Sequence, residues 1–108
     1  MKYDEVYLRQ ILDCVRKIEK FTLGITVESF PEDEKTQSAV MMQLVLIGEL
    51  AKRVSDDTRR TIDLPWKEIA GFRDQAIHNY FQIDLDIVWQ TVQTDIPELK
   101  GAITKALG

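Results

Sequence analysis

Hydrophobic residues recur at intervals of three and four along most of the chain, which is the spacing of an α-helix with one buried face. The first such stripe consists of Leu8, Ile11, Val15 and Ile18. Lysines and arginines occupy the opposite side, so the pattern predicts an amphipathic helix from about Tyr3 to Thr22. Gly24 follows it, at a position where a glycine in the left-handed conformation often ends a helix.

A second long helix is predicted after a connector from Ile25 to Asp33, in which Pro31 ends any local helix. Its stripe consists of Val40, Leu44, Ile47, Ala51 and Val54. This spacing predicts a helix from about Glu34 to Ser55, with Asp33 or a neighbour as its cap. Gly48 extends the stripe, and its missing side chain would allow another helix to approach closely.

Two further helices are predicted in the middle of the chain. Ser55 can cap a short one from about Asp57 to Arg60, and a longer one runs from Pro65 to about Phe81. The apolar face of the longer helix consists of Trp66, Ile69, Phe72, Ala76 and Ile77. Arg73 and Tyr80 lie in the middle of this face, which is unusual because an arginine is rarely buried unless it is paired.

Asp84 is predicted to cap the next helix, whose apolar face consists of Leu85, Val88, Trp89, Val92 and Ile96. Pro97 ends or kinks it, and a last helix extends from Glu98 to Leu107. Apart from a weak segment from Leu23 to Val27, no stretch alternates as a strand does. The prediction is an all-α protein: a compact up-and-down bundle of four main helices plus short helices, in a single domain over residues 1–108.

Composition narrows the class of protein further. The content of 44% hydrophobic and 30% charged residues is typical of a globular protein, and no run of about 18 apolar residues could span a membrane. The charged N-terminus lacks the apolar core of a signal peptide, and a single cysteine, Cys14, fits a cytoplasmic protein. Cys14 is interpreted as a small buried residue that fills space in the core, and not as a nucleophile. With one histidine and one cysteine there is no ligand set for zinc, and no metal or other cofactor is predicted.

The net charge of −4 argues against a generic basic nucleic-acid binder, so any action on RNA needs a local positive site. Basic residues do cluster in the middle of the chain: Lys52, Arg53, Arg59, Arg60, Lys67 and Arg73. All of them except Arg73 are interpreted as parts of solvated helix faces.

The chain has one histidine, His78, five residues after Arg73 and two before Tyr80. On a straight helix, Arg73 and His78 point about 140° apart. Either the helix distorts near its end, or another chain completes the site. Asp74 lies four residues before His78 and could orient its imidazole, although an incidental surface pair explains the spacing equally well.

The spacing Arg73-x4-His78-x-Tyr80 resembles the signature of the HEPN superfamily (higher eukaryotes and prokaryotes nucleotide-binding), in particular the HepT-like toxins. The flanking blocks are similar to that family over nearly the whole chain. They are residues 33–40, 47–52, 66–74 and 84–89. The motif alone is short, and its combination with these blocks makes the resemblance specific.

The resemblance implies a small helical bundle that dimerises through the motif region, so that residues of both subunits line one cleft. It implies a metal-independent ribonuclease toxin with Arg73 and His78 as catalytic residues. Asp74 and Asn79, a position that the motif leaves open, are predicted as supporting residues. It further implies a partner, a minimal nucleotidyltransferase antitoxin, that transfers AMP to Tyr80. Tyr80 could also bind substrate through its ring and hydroxyl.

RNA cleavage without metal uses the ribose 2′-hydroxyl as the nucleophile, and it needs a base, an acid and positive charge on the phosphorane. A histidine can act as acid or base near neutral pH, and an arginine offers a fork of donors to phosphate oxygens. One chain supplies a single histidine, whereas a two-fold dimer supplies two. A dimer would also explain Arg73, if its apolar face is partly a subunit interface.

Three hypotheses follow. The first is a homodimeric ribonuclease toxin, which the Arg73–His78 pair favours. The second is a non-catalytic helical dimer that binds a nucleotidyltransferase and presents Tyr80 or a nucleotide to it, which the acidic net charge favours. The third, a purely structural oligomerisation domain, ranks last because it leaves the position of Arg73 unexplained.

Overall fold

The computed structural model describes residues 2–108. Their α-helices are α1 (Lys2–Phe21), α2 (Glu34–Arg53), α3 (Asp56–Thr61), α4 (Trp66–His78), α5 (Leu85–Gln90) and α6 (Ile96–Leu107). Two 3₁₀ turns cover Phe30–Glu32 and Tyr80–Gln82, and a π-helical turn covers Thr91–Asp95. These residues contain no strand, so the predicted all-α class is confirmed. None of their helices is both long and apolar enough to cross a membrane.

The predicted helix caps are present. The Asp33 carboxylate accepts a hydrogen bond of 3.0 Å from the backbone N–H of Thr36, at the start of α2. The Ser55 hydroxyl likewise accepts a hydrogen bond of 3.3 Å from the backbone N–H of Thr58, at the start of α3. Gly24 has a φ of +79°, the left-handed conformation predicted after α1. Short polar side chains therefore determine where these helices begin, because they satisfy N–H groups that have no partner in the first turn.

Helices α1 and α2 are antiparallel, because Asp4 at the start of α1 accepts hydrogen bonds from Ser55 just after α2. The first half of α6 lies beside the end of α1, where Lys100 forms an ion pair of 3.0 Å with Glu19. Helix α2 contacts α1 and also α4. The largest fully buried side chains are Phe30, Ile11, Ile18, Ile103, Val15, Val40, Val54 and Val88. The core thus lies mainly between α1, α2 and the C-terminal helices, in the predicted up-and-down arrangement.

Pro97 lies near the start of α6, where its missing N–H disturbs the helix without ending it. The chain from Leu85 to Leu107 is helical throughout, with the π-helical turn immediately before α6. A proline ring clashes with the carbonyl four residues earlier and cannot donate to it. A wider turn accommodates that defect, so the predicted interruption takes the form of a local π-helix.

Candidate active site

Helix α4 ends at His78, so the prediction of a helix to about Phe81 is wrong. Asn79 has φ −133° and ψ 39°, which is not helical, and the chain continues into the 3₁₀ turn. The Asn79 N–H makes the last helical hydrogen bond of α4, to the Gln75 carbonyl at 2.8 Å, and the Gln82 N–H closes the 3₁₀ turn on the Asn79 carbonyl at 2.9 Å. Asparagine favours such an end, because its side chain competes with helical hydrogen bonding. Tyr80 therefore leaves the helix face on which the sequence placed it.

Arg73 lies where α4 packs most closely against α2. A Cβ added to Gly48 would be 2.6 Å from the Arg73 Cβ and 3.0 Å from the carbonyl oxygen of Ile69. Both separations are shorter than van der Waals contact, so only glycine fits at position 48 without a shift. The close helix approach predicted for Gly48 is present, and it brings the backbone of Arg73 directly against α2.

The Arg73 guanidinium is paired within the chain. Its Nε lies 3.1 Å from Oε2 of Glu49, and its Nη1 donates a hydrogen bond of 3.0 Å to Oδ1 of Asp74. About a third of the arginine side chain, 31%, remains accessible. These two carboxylates compensate the charge of an arginine on a packed helix face. They hold the guanidinium through Nε and Nη1 and leave Nη2 available to another anion.

Asp74 is held by two cations. Besides Arg73, the Nζ of Lys52 donates a hydrogen bond of 2.9 Å to its Oδ1. These bonds, with that from Lys52 first, lower the pKa of Asp74 below its usual value, because both partners favour the ionised carboxylate. The expectation that Asp74 orients the imidazole of His78 is not met among the described residues, since its carboxylate is directed to α2 and Arg73. Electrostatic attraction to two cations outweighs a contact with the imidazole.

The other motif residues lie at the exposed end of α4. His78, Asn79 and Tyr80 are all accessible, and the Tyr80 ring packs edge-on against Phe81 at a centroid distance of 5.6 Å. Phe81 is fully exposed. An imidazole, a phenol and a large aromatic side chain therefore project together from one turn, where a large substrate can reach them.

Arg73 and His78 are not brought together by one chain. Because α4 is regular up to His78, the two side chains leave it in directions about 140° apart. The early end of the helix moves Tyr80 and leaves this angle unchanged. Of the two alternatives posed by the sequence, distortion of the helix does not unite the pair.

The central basic residues are largely neutralised by neighbouring carboxylates. Four of the six form ion pairs within or between helices: Lys52–Asp74, Arg53–Glu49, Arg59–Asp56 and Arg60–Asp57. This agrees with their interpretation as solvated helix faces.

Cys14 is buried, and burial raises the pKa of its thiol, which keeps it protonated and unreactive.

Glu49 and Lys52 were not predicted to take part in the site. The signal that could have identified Glu49 was available, because an arginine on an apolar face requires a carboxylate partner. Glu49 follows Gly48, the position at which close helix contact was predicted. Sequence spacing could not show that this contact would be made with Arg73, which lies on a separate helix.

An apolar cleft of about 190 Å³ lies elsewhere, between α2, the beginning of α4 and the π-helical turn. Three acidic residues, Glu68, Asp95 and Glu98, contribute to its lining, and none of the motif residues does. Carboxylates repel phosphates, so this cleft is a poor site for a nucleic acid.

Comparison with known proteins agrees with the resemblance seen in the motif. A family model described as "Ribonuclease HepT-like" matches residues 11–106. The chain is 44% identical over 100 residues to a protein of Thermococcus cleftensis named "Probable ribonuclease HepT", covering 92% of this chain and 91% of that one. It is 38% identical over 109 residues to a protein of Caldanaerobacter subterraneus named a "Putative RNase", covering 99% and 96%. No solved structure matches significantly.

Proposed function

The chain belongs to the family of HepT-like ribonucleases, and from that membership we propose that it is a metal-independent endoribonuclease toxin acting as a homodimer. The observation that carries the proposal is the intact Arg73-x4-His78-x-Tyr80 motif, of which His78 and Tyr80 lie at the accessible end of α4. The protein works as one helical domain in the cytoplasm, and a cognate nucleotidyltransferase antitoxin silences it.

In the proposed reaction a ribose 2′-oxygen attacks the adjacent phosphorus, and the bond from phosphorus to the 5′-oxygen breaks. One His78 imidazole accepts the 2′ proton, and a second, protonated imidazole donates a proton to the leaving 5′-oxygen. Arg73 donates to the phosphorane oxygens, where negative charge accumulates. The products are a 2′,3′-cyclic phosphate and a 5′-hydroxyl, so this step consumes no water.

Two features support a dimer as the active form. One chain holds a single His78, directed away from its own Arg73, whereas a two-fold dimer supplies two of each residue. Apolar side chains are also exposed on the Arg73 side of the molecule: Met42 (57%) and Leu46 (40%) on α2, and Ile77 (51%) on α4. These residues form two stripes that adjoin at the Glu49–Arg73 pair, and a second subunit would remove them from water.

Tyr80 is the proposed target of the antitoxin. Its hydroxyl oxygen would attack the α-phosphorus of ATP, with loss of the hydroxyl proton and departure of pyrophosphate. Tyr80 suits this reaction because it is 39% exposed and lies on a turn outside the helix. The attached AMP would place bulk and negative charge beside His78, which repels RNA phosphates and blocks their entry.

Cleavage of mixed cellular RNA in EDTA, by the purified protein and by His78→Ala, tests the catalytic proposal. We expect cleavage by the wild type and loss of at least about a hundredfold in the variant, the scale of a missing general acid–base group. Equal cleavage by both proteins would indicate a contaminant. Inactivity of both, with Tyr80 unmodified by intact mass, would favour the non-catalytic module that serves a nucleotidyltransferase.

Tyr80→Phe tests the silencing mechanism, because it removes the hydroxyl and keeps the ring. We expect this variant to cleave RNA and to resist neutralisation when the antitoxin and ATP are added. A mass increase of one AMP on the wild type alone accompanies that result. Unchanged neutralisation of Tyr80→Phe would contradict AMP transfer to this residue.

A further inference from the structure

An open cleft of about 310 Å³ lies between the end of α4 and the start of α5. Three carboxamide residues line it, Gln75, Asn79 and Gln82, together with the carboxylate residue Asp84. The ring of Phe72 and two isoleucines complete the lining. Its volume is at the small end of the range for ligand pockets, about 300 to 1,000 Å³, which suits a single ring system.

The early end of α4 creates this arrangement of amides. The Asn79 N–H donates to the Gln75 carbonyl at 2.8 Å, and the Gln82 N–H donates to the Asn79 carbonyl at 2.9 Å. The first bond continues the helical pattern of α4 and the second belongs to the 3₁₀ turn, and together they link the three residues. Since these bonds use backbone atoms, the side-chain amides keep their donors and acceptors for a ligand.

The chemistry of the lining selects a base over a phosphate. None of the residues that line the cleft is basic, and Asp84 would repel an anion. A carboxamide offers a donor and an acceptor side by side, which is how Asn and Gln pair with the edge of a nucleobase. Single-stranded RNA presents such edges together with flat faces that pack on aromatic side chains.

The cleft lies on the same side of α4 as His78. Gln75 precedes His78 by three residues, so the two side chains leave the helix about 60° apart. Arg73 leaves it about 160° away from Gln75, toward α2. A base in the cleft would therefore place its own ribose and phosphate next to the imidazole.

We propose that this cleft binds one base of the RNA substrate beside the bond that is cut, and that it prefers adenine. The inference rests on the proposed ribonuclease function and adds a sequence-selective subsite to it. The preference follows from the carboxamides of Gln75 and Gln82, each of which can pair through a donor and an acceptor with one edge of a base. The edge of adenine that carries N6 and N7 presents a donor beside an acceptor, whereas the same edge of guanine presents two acceptors and the pyrimidines have no N7.

The test uses the double variant Gln75→Leu/Gln82→Leu, which keeps side-chain size and removes two amides. Gln10→Leu, at an exposed position on α1, is the matched control. Single-stranded RNAs that differ in one base are cleaved, and the ends are sequenced to give the relative rate for each base next to the cut. Binding of the same RNAs to a His78→Ala protein, with and without the double substitution, is measured by fluorescence anisotropy.

We expect the wild type and Gln10→Leu to favour adenine roughly tenfold, the scale of one paired amide, and the double variant to lose that preference. An unchanged preference in the double variant overturns the proposal, as does a wild type without preference. Unaltered RNA binding together with dissociation of the dimer would assign the cleft to a protein contact and overturn it as well.

The two proposals fail separately in this design. If the wild type does not cleave RNA, the proposed ribonuclease function is wrong. Binding of the same RNAs to the His78→Ala protein then still shows whether the cleft is selective for a base. If cleavage occurs and depends on His78 but selectivity is the same in the double variant, only the base subsite fails.

Discussion

Arg73 owes its position to two adjacent residues of α2. Gly48 lets the arginine backbone approach, and the Glu49 carboxylate lies 3.1 Å from its Nε. An exposed ion pair of this kind adds only about 0 to 1 kcal/mol to stability. Its effect on orientation is larger, because an arginine side chain has about 2 kcal/mol of rotamer entropy to lose when it becomes fixed. We therefore interpret Glu49 as a positioning residue for Arg73.

Substitution of Glu49 by glutamine is expected to lower kcat/KM for RNA cleavage roughly tenfold, which corresponds to about 1.4 kcal/mol of transition-state stabilisation. The neutral amide attracts the guanidinium more weakly, so Arg73 samples orientations that do not meet the phosphorane. Most of the loss should appear in kcat, because the interaction matters most once charge has developed on the phosphate. Steady-state kinetics with one oligonucleotide measures both parameters.

Glu5→Gln is the control for Glu49→Gln. It breaks another exposed ion pair, the one between Glu5 and Arg9 at 2.9 Å, on α1. We expect normal kinetics from this variant and nearly wild-type stability from both. If Glu49→Gln instead lost stability and kept its kcat, the role of Glu49 would be structural.

Helices α2 and α4 depend on one glycine for their close contact. A methyl group at position 48 would meet the Arg73 Cβ at 2.6 Å and the Ile69 carbonyl oxygen at 3.0 Å. Neither atom belongs to the free end of a flexible side chain, so the helices must separate. Overpacking of this kind costs about 1–3 kcal/mol, against about 1 kcal/mol gained from the helix propensity of alanine. Gly48→Ala is therefore expected to destabilise the protein by about 1 kcal/mol.

Gly101→Ala in α6 is the matched control for Gly48→Ala, because an added Cβ there has no neighbour within 4 Å. This variant should be more stable than the wild type by up to about 1 kcal/mol. Urea unfolding of the three proteins gives the comparison through the midpoint at constant m-value. Equal stabilisation by both alanines would show that α2 and α4 are not in close contact at Gly48.

The helices themselves were predictable from the sequence, because the spacing of apolar residues and the capping side chains are local signals. Asp33 and Ser55 cap α2 and α3 as predicted, and Gly24 adopts its left-handed conformation. The motif residues could also be identified, since Arg73 stood out on an apolar face and His78 is the single histidine.

The remaining features depend on contacts between distant parts of the chain. The early end of α4 at His78 requires Asn79 to favour the turn over the apolar periodicity that continues to Phe81. The partners of Arg73 depend on which residues of α2 face it, and periodicity within one helix does not determine that register. The burial of Asp4 could not be predicted from the sequence, because a carboxylate near the N-terminus is most often solvated.

The whole molecule is a thin plate of 42 × 29 × 18 Å, about two helix diameters in its shortest dimension. A plate of this thickness leaves many apolar side chains at the surface, including the fully exposed Phe81 beside the motif. The charge of −4 is spread over faces that are largely paired internally. The exposed apolar side chains are consistent with the proposed association through the motif region.

Asp4, a buried carboxylate in α1, forms hydrogen bonds to residues at the junction of α2 and α3. It accepts hydrogen bonds from the Ser55 N–H at 2.9 Å, the Ser55 hydroxyl at 2.5 Å and the Thr58 hydroxyl at 2.6 Å. These contacts connect the first turn of α1 to the junction of α2 and α3, about fifty residues later in the chain. The hydrogen bonds, with those from the Ser55 and Thr58 side chains first, lower the pKa of Asp4 because they favour its ionised form.

Asp4→Asn is expected to destabilise the protein by about 2 kcal/mol at pH 7, since hydrogen bonds to a charged group contribute about 1.5–3 kcal/mol. A carboxyl whose pKa is lower in the folded state stabilises the fold above its unfolded pKa of about 3.9, and this contribution disappears as pH falls through the folded value. The difference in free energy of unfolding between the wild type and Asp4→Asn should therefore be constant from pH 7 to about 5 and shrink toward pH 3.

Asp13→Asn, which removes the exposed ion pair with Arg16, provides the control, and its free energy of unfolding should stay within about 0.5 kcal/mol of the wild-type value. Urea unfolding midpoints across this pH range measure the three proteins. If the difference in free energy of unfolding between the wild type and Asp4→Asn stayed constant down to pH 3, Asp4 would contribute through packing. The ionised form of Asp4 would then not be what stabilises the contact with Ser55 and Thr58.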